Sequence, residues 1–206
     1  MVDELPSPGW QAIDDALSRL YFDQTPRHVG YIPPAAVSSN LQGCSAFRAS
    51  DHWHYVTYGL SELYVPDPTN DPAISGWGFE LSFRLRLGLE PEAPGWPFTI
   101  LNRLANYQNE GALMVAPAGT RINLGGPITG FPHTPDGPDT KLGTLAVAVD
   151  PQLGQIQTEN GRVTFLLLVG VTDEERGEMV ATSTGAILER LAVENPLLIT
   201  DVRAVA

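Results

Sequence analysis

From Trp77 to Leu87 apolar and polar residues alternate one by one. Trp77, Phe79, Leu81, Phe83, Leu85 and Leu87 fall on one side, and Gly78, Glu80, Ser82, Arg84 and Arg86 on the other. A period of two predicts a strand with one core face and one polar face. The earlier run from His52 to Leu60 is apolar on both sides, Trp53 and Tyr55 against Val56, Tyr58 and Leu60, as in a central strand covered on both faces. The two runs read as a hairpin scaffold, since burying each aromatic or branched side chain contributes about 1.5–3 kcal/mol. Val65 to Pro72, with three prolines, cannot continue a ladder and is expected as a surface loop.

Elsewhere the pattern predicts helices and a second hairpin. Ser7 and Pro8 open a helix with Trp10, Ile13, Ala16, Leu17 and Leu20 on one face, ended by Thr25-Pro26, after which His28 to Pro34 reads as extended. Phe98, Leu101, Leu104 and Ala105 form the stripe of a second helix ending near Asn109-Glu110-Gly111, and Leu113 to Val115 reads as a short strand. Gly125 to Asp139 is broken by Gly, Pro and Asp and is expected as a long surface loop. Leu145 to Val149 is a strand, and Gln155 to Val171 a hairpin turning at Asn160-Gly161, whose second arm from Val163 is buried. Thr172 to Glu175 fits a capping box, a further helix runs through Ile187, Leu188 and Leu191 to Asn195-Pro196, and Leu197 to Thr200 forms a terminal strand or docking tail. This irregular interleaving favours an α+β fold, a mixed, largely antiparallel β-sheet flanked by helices, over a doubly wound one.

Length and composition narrow the function. At 206 residues and 43% hydrophobic the chain can bury one substantial core, and residues 1–206 are expected to form a single domain. It carries 24 acidic against 12 basic residues, Lys141 being the one lysine, for a formal charge of −12. That argues against phosphate-backbone binding, hence no nucleic acid, and suits either a plain acidic soluble protein or one that attracts a basic protein partner. The lone Cys44 excludes an internal disulfide, and the chain shows neither a secretory leader pattern nor an apolar run of about 20 residues. The expectation is a cytoplasmic protein with no membrane association.

Chemistry is sparse. His52 and His54 project from one strand face and could share a metal, which leaves a metal-dependent enzyme as the alternative function; a third ligand is not specified by any spacing, and hydrogen-bonded packing is the ordinary role. Cys44 has no neighbouring cation to activate it. Glu62 and Glu80 could pair as acid and base if their strands adjoin, although carboxylates on a solvated face are the common case. Nucleophile-elbow, Walker, zincin and dinucleotide fingerprints are all missing from the sequence. The chain therefore reads as a non-enzyme with no cofactor and no metal.

His52-Trp53-His54-Tyr55, the run Tyr58 to Tyr64 and the run Gly76 to Leu85 together resemble the Suppressor of Fused domain. Pro8-Gly9-Trp10, Leu104 to Tyr107, Glu159 to Leu166, Val169 to Val171 and Asn195 to Asp201 extend the likeness over almost the whole chain. Animal proteins of this family act without catalysis: they bind Gli-type transcription factors and restrain Hedgehog signalling, using this domain and a C-terminal one that close on a peptide. This chain looks like the first domain alone, as in a bacterial branch proposed to include immunity proteins that neutralise toxins. The resemblance implies a mixed α+β sheet and a protein or peptide partner, a basic toxin being one candidate, docking at the edge and polar face of the opening hairpin by strand addition. It places Tyr55, Glu62 and Glu80 as partner-binding residues. Their competing roles are a core position for Tyr55 and plain solvation for the two carboxylates. A homo-oligomeric scaffold is a further alternative.

Overall fold

The computed structural model describes residues 6–31, 41–65, 71–111 and 118–203. In chain order these form α1 (Pro8–Ser18), β1 (Arg27–Gly30), β2 (Gly43–Arg48), β3 (His52–Tyr58), β4 (Ile74–Arg86), α2 (Trp96–Asn109), β5 (Arg121–Asn123), β6 (Thr144–Val149), β7 (Gln155–Thr158), β8 (Gly161–Val171), α3 (Asp173–Ala181) and α4 (Thr184–Glu194). The strands make one sheet in the order β1-β2-β3-β4-β8-β6-β5, with β7 pairing β8 outside this path. Neighbours are antiparallel except β4 and β8, which run parallel at the centre with Ser82 opposite Leu167. The α+β fold with a mixed, largely antiparallel sheet is therefore present. The expected strand at Leu113 to Val115, and residues 66–70 of the expected loop, lie outside the described residues.

Helices cover both faces. On one, Trp53 and Tyr55 of β3, Phe79, Leu81, Phe83 and Leu85 of β4, Leu166 and Leu168 of β8 and Leu145 and Val147 of β6 pack on α2 through Trp96, Phe98, Leu101 and Leu104. On the other, Val56, Tyr58 and Phe165 meet Ile13 and Leu17 of α1, while Leu167, Val169 and Val171 meet Met179, Ile187 and Leu188 of α3 and α4. The central run of β3 is buried throughout, as its doubly apolar pattern predicts.

Helix ends follow local chemistry with three revisions, the first being that α1 ends at Ser18 and not at Thr25-Pro26. Thr172 and Glu175 form the predicted capping box, each side chain accepting from the other's backbone N–H. Ser7 takes the N-cap position of α1 without a side-chain bond; the first-turn N–H groups of Gly9 and Trp10 instead reach the Leu63 carbonyl at 3.1 and 3.4 Å. At α2 the cap is supplied from a distance, since the Asp136 carboxylate accepts from the N–H groups of Gly95 and Trp96. The segment 125–139 that contains Asp136 is mostly exposed, as expected, but sends Ile128 into the main core.

Two expectations for β4 are overturned. Its polar face is not solvated: Glu80, Ser82 and Arg84 are all fully buried, because α1 and the β6–β7 link cover that side. Trp77 does not join Phe79 in the core and is 46% exposed. Between Ile74 and Phe79 the strand advances five positions while its partners on β8 advance two, from Arg162 to Thr164. This irregularity, with Gly76 and Gly78 at positive φ, turns the indole outward.

Candidate functional site

The polar side chains of β3 and β4 assemble a closed network under α1. Arg84 donates through Nη2 to both oxygens of Asp150, at 2.8 and 3.1 Å, and through Nη1 to Gln152 Oε1 at 2.7 Å and to His52 Nε2 at 3.0 Å. Asp150 also accepts from Ser82 Oγ at 2.9 Å, from the N–H groups of Gln152 and Leu153, and from His54 Nε2 at 3.1 Å. The Tyr21 hydroxyl meets His54 Nδ1 at 2.8 Å, and Asp51 meets His52 Nδ1 at 2.8 Å.

These partners assign the tautomers. Arg84 can only donate, so His52 carries its proton on Nδ1; the Asp150 carboxylate can only accept, so His54 carries its proton on Nε2. Burial lowers the His54 pKa to about 4, with the nearby Arg84 charge acting in the same direction. Burial alone would raise the Asp150 carboxyl, but the hydrogen bond from His54 and the charge of Arg84 outweigh it and keep Asp150 ionised. Both nitrogens of each histidine are engaged, one of them by a guanidinium, so the metal-ligand reading of His52 and His54 finds no support. Among the described residues no group of three or more His, Cys, Asp or Glu side chains is placed to hold a metal ion. Cys44 is buried, and burial pushes its thiol pKa up, away from nucleophilic chemistry.

The three partner-binding expectations land in different places. Tyr55 lies in the core, its hydroxyl donating to the Pro94 carbonyl at 3.0 Å and its ring edge-on to Phe98. Glu80 is wholly buried rather than solvated. Its Oε1 accepts from the N–H groups of Gly59 and Ser61 at 2.8 and 2.9 Å and from Ser61 Oγ at 2.7 Å, and its Oε2 accepts from Thr57 Oγ1 at 2.6 Å. Burial raises the Glu80 pKa while these donors oppose the rise. Glu62 is half-buried and is the one of the three beside an open cleft.

That cleft exists because segment 59–64, neither helix nor strand, is fixed from several sides. Glu80 holds it at Gly59 and Ser61. Asn160 Nδ2, from the β7–β8 turn, donates to the Glu62 and Tyr64 carbonyls at 2.8 and 2.6 Å. Ser75 Oγ accepts from Glu62 N at 2.9 Å, and Trp77 N donates to the Leu60 carbonyl at 2.9 Å. The start of α1 binds the Leu63 carbonyl. Backbone approach here is close: a Cβ on Gly9 would lie 2.1 Å from the Glu62 oxygen, and one on Gly76, φ +55°, 2.7 Å from the Leu60 oxygen. Four sequence motifs, around Gly9, Gly59, Gly76 and Asn160, thus converge on one turn. Hydrophobic patterning carries no trace of this constellation; its one signal in the sequence is the joint presence of these residues among the family-like segments.

The cleft measures about 440 Å³ and is lined by Gln42, residues 59–64, Gly76, Trp77 and Asn109. Trp77 is held in place by its Nε1–H, which donates to Asn109 Oδ1 at 2.7 Å, and Tyr64 is 39% exposed. Among the described residues Glu62 is the only charged one in the lining. Larger hollows exist, but the arginines of the one near Trp96 are already engaged, Arg27 with the Ala93 carbonyl, Arg86 with Asp51 and Arg203 with Asp201.

The chain is similar to known proteins in sequence and in fold. The family model described as "Suppressor of fused protein (SUFU)" matches residues 38–203. The human Suppressor of fused homolog is 34% identical over 172 residues, covering 78% of this chain and 34% of the human protein, so the chain spans about a third of that relative's length. Among solved structures, Drosophila Suppressor of Fused aligns with a TM-score of 0.82 at 28% identity over 96% of this chain and 50% of its own. A crystal structure of the Sufu–Fu complex aligns with a TM-score of 0.80 at 28% identity over 96% of this chain and 91% of its own. A SUFU homolog from Neisseria gonorrhoeae FA 1090 aligns at 17% identity, covering 94% of this chain and 93% of its own, with a TM-score of 0.61 that reflects a shared fold. With a family model matching from residue 38 to residue 203 and a human relative 34% identical to it, the chain belongs to the Suppressor of fused family.

Proposed function

We propose that this chain is a non-enzymatic module that binds a basic polypeptide through the face bearing segment 59–64, and that it acts in the cytoplasm. The observation that carries the reading is the fixed turn itself. A non-repetitive segment is held by Glu80, Asn160, Ser75 and the start of α1, yet leaves two aromatic side chains open to solvent. Groups fixed before binding lose little conformational entropy on association, which is how a small surface gains affinity. Glu62 touches the partner in this reading, Glu80 shapes the turn from below, and Tyr55 supports the opposite face of the sheet.

Two further facts support it. One solved relative is in a Sufu–Fu complex, a protein assembly. The formal charge of −12 favours and steers a cationic partner. Neutralising a basic toxin is the specific form of this role that the charge suits best. His52, His54 and the most deeply buried carboxylates are spent in internal hydrogen bonds, so the reading needs no catalytic step.

The test is an affinity capture from the native host with tagged wild-type chain and with Glu62→Lys plus Trp77→Ala, at low and moderate salt, read by mass spectrometry. A basic polypeptide retained by wild type, released as salt rises and absent from the folded variant, is the expected result. Equal retention by the variant removes the cleft from the interface, and a wild-type capture without any basic polypeptide refutes the reading.

A further inference from the structure

Resting on that reading, we infer that the cleft beside segment 59–64 is a receptor for one arginine side chain of the partner. Three features of the cleft point to a cation. Trp77 offers its indole to solvent, and the bond from its Nε1–H to Asn109 fixes the ring rather than leaving it to find a packing site. Tyr64 provides a second half-exposed aromatic side chain in the same lining. Among the described residues Glu62 supplies the only charge there, and no cation is paired with it.

Aromatic faces attract cations through their quadrupole, and a carboxylate at the same site adds direct charge attraction. Arginine uses both together, since its planar guanidinium stacks on an indole while its N–H fork engages a carboxylate; lysine presents only a point charge. The cleft, about 440 Å³, has room for a guanidinium and its methylene stem. The turn that carries Glu62 is fixed by Asn160 and Ser75, and the indole by Asn109, so the backbone beneath the carboxylate and the ring are both in place before the ligand arrives.

The experiment uses the full chain labelled with 15N. Its four tryptophans give a small set of indole N–H signals, and the spectrum of Trp77→Phe assigns the one that matters. The probe is acetyl-Gly-Arg-Gly-amide, with the citrulline peptide as an uncharged isostere and tetramethylammonium as a small cation. The expected result is a saturable shift of the Trp77 signal with the arginine peptide. Its affinity should be roughly tenfold above the citrulline peptide and fall about fivefold in Glu62→Gln, whose remaining indole signals stay in place. Equal response to citrulline, tighter binding of tetramethylammonium, or a silent Trp77 signal overturns the inference. Failure of the binding-module reading looks different: the arginine peptide shifts Trp77, yet host extract yields no basic polypeptide. A captured partner that binds wild type and Glu62→Gln alike would sink the arginine site alone.

Discussion

Lowering the pH from about 7 to about 4.5 should destabilise this protein through His54 before most of its carboxylates are protonated. The imidazole is completely buried, donates to Asp150 and faces Arg84 through that shared carboxylate, so a second proton would add charge where Arg84 already supplies it. Its folded pKa of about 4 lies below the 6.5 of a free histidine. The unfolded chain therefore binds more protons between those values, and stability falls as pH drops through the window. At about 1.4 kcal/mol per pH unit, the full descent costs about 3 kcal/mol, a large fraction of an ordinary domain's stability. His52 and His28, also lowered by burial, act in the same direction. Glu80 acts in the opposite one, because its raised pKa makes protonation favour the native state above the ordinary glutamate range. The wild type alone would mix these effects, so the comparison is with His54→Gln. Urea unfolding followed by circular dichroism from about pH 7 to about pH 4.5 gives both stability curves. The gap between them should narrow by about 2–3 kcal/mol as pH falls, whatever its starting size. A gap constant to within about 0.5 kcal/mol would show that His54 titrates normally in the folded protein and that the network is open to water.

Arg84→Met should cost about 3–5 kcal/mol in the same urea assay near neutral pH, because it strands the buried Asp150 carboxylate without its cation; a loss below about 1 kcal/mol would contradict the pairing. Gly76→Ala should lower stability by at least about 2 kcal/mol, since its Cβ would meet the Leu60 carbonyl. Gly111→Ala, also at positive φ but with open space around it, should cost only about 1 kcal/mol. Thermal unfolding of the pair separates close approach from backbone conformation, and equal losses would remove the tight contact from the account.

Elements governed by local rules were readable in the sequence. The doubly apolar run of β3, the capping box at Thr172 and the buried arm β8 all occur where the pattern places them. The hairpin joining β7 and β8 turns at Glu159-Asn160, with Gly161, φ +109°, opening β8, one residue earlier than the sequence pattern suggests. Long-range cover was not readable. Glu80, Ser82 and Arg84 carry a solvent-face pattern, and only the arrival of α1 and Asp150 from distant parts of the chain turns that face into an interior. Trp77 obeys the alternation in sequence and leaves it in space, because the irregularity depends on pairing with β8, some ninety positions away. The site was half legible: Glu62 could be named, whereas Asn160 and Gly9 matter only once their backbones reach segment 59–64.

The cost of burying Arg84, Asp150 and two histidines raises the question of what the network provides, since apolar residues could fill the same space at equal or better stability. Register is the answer that fits the layout. Along β4, Ser82 and Arg84 alternate with Leu81, Phe83 and Leu85, and along β3, His52 and His54 alternate with Trp53 and Tyr55. A slip of one residue would exchange the faces, carrying the Arg84 guanidinium into the layer of Trp96 and Phe98 and leaving Asp150 unpaired. β4 and β8, whose parallel pairing no short turn dictates, share this layer with the link that carries Asp150. A charged pair that tolerates only one alignment therefore sets the alignment of the sheet centre. The same alignment brings Ser75, Trp77 and Glu80 at one end of β4, and Asn160 at the turn into β8, against segment 59–64. The buried network and the surface cleft are thus two ends of one register.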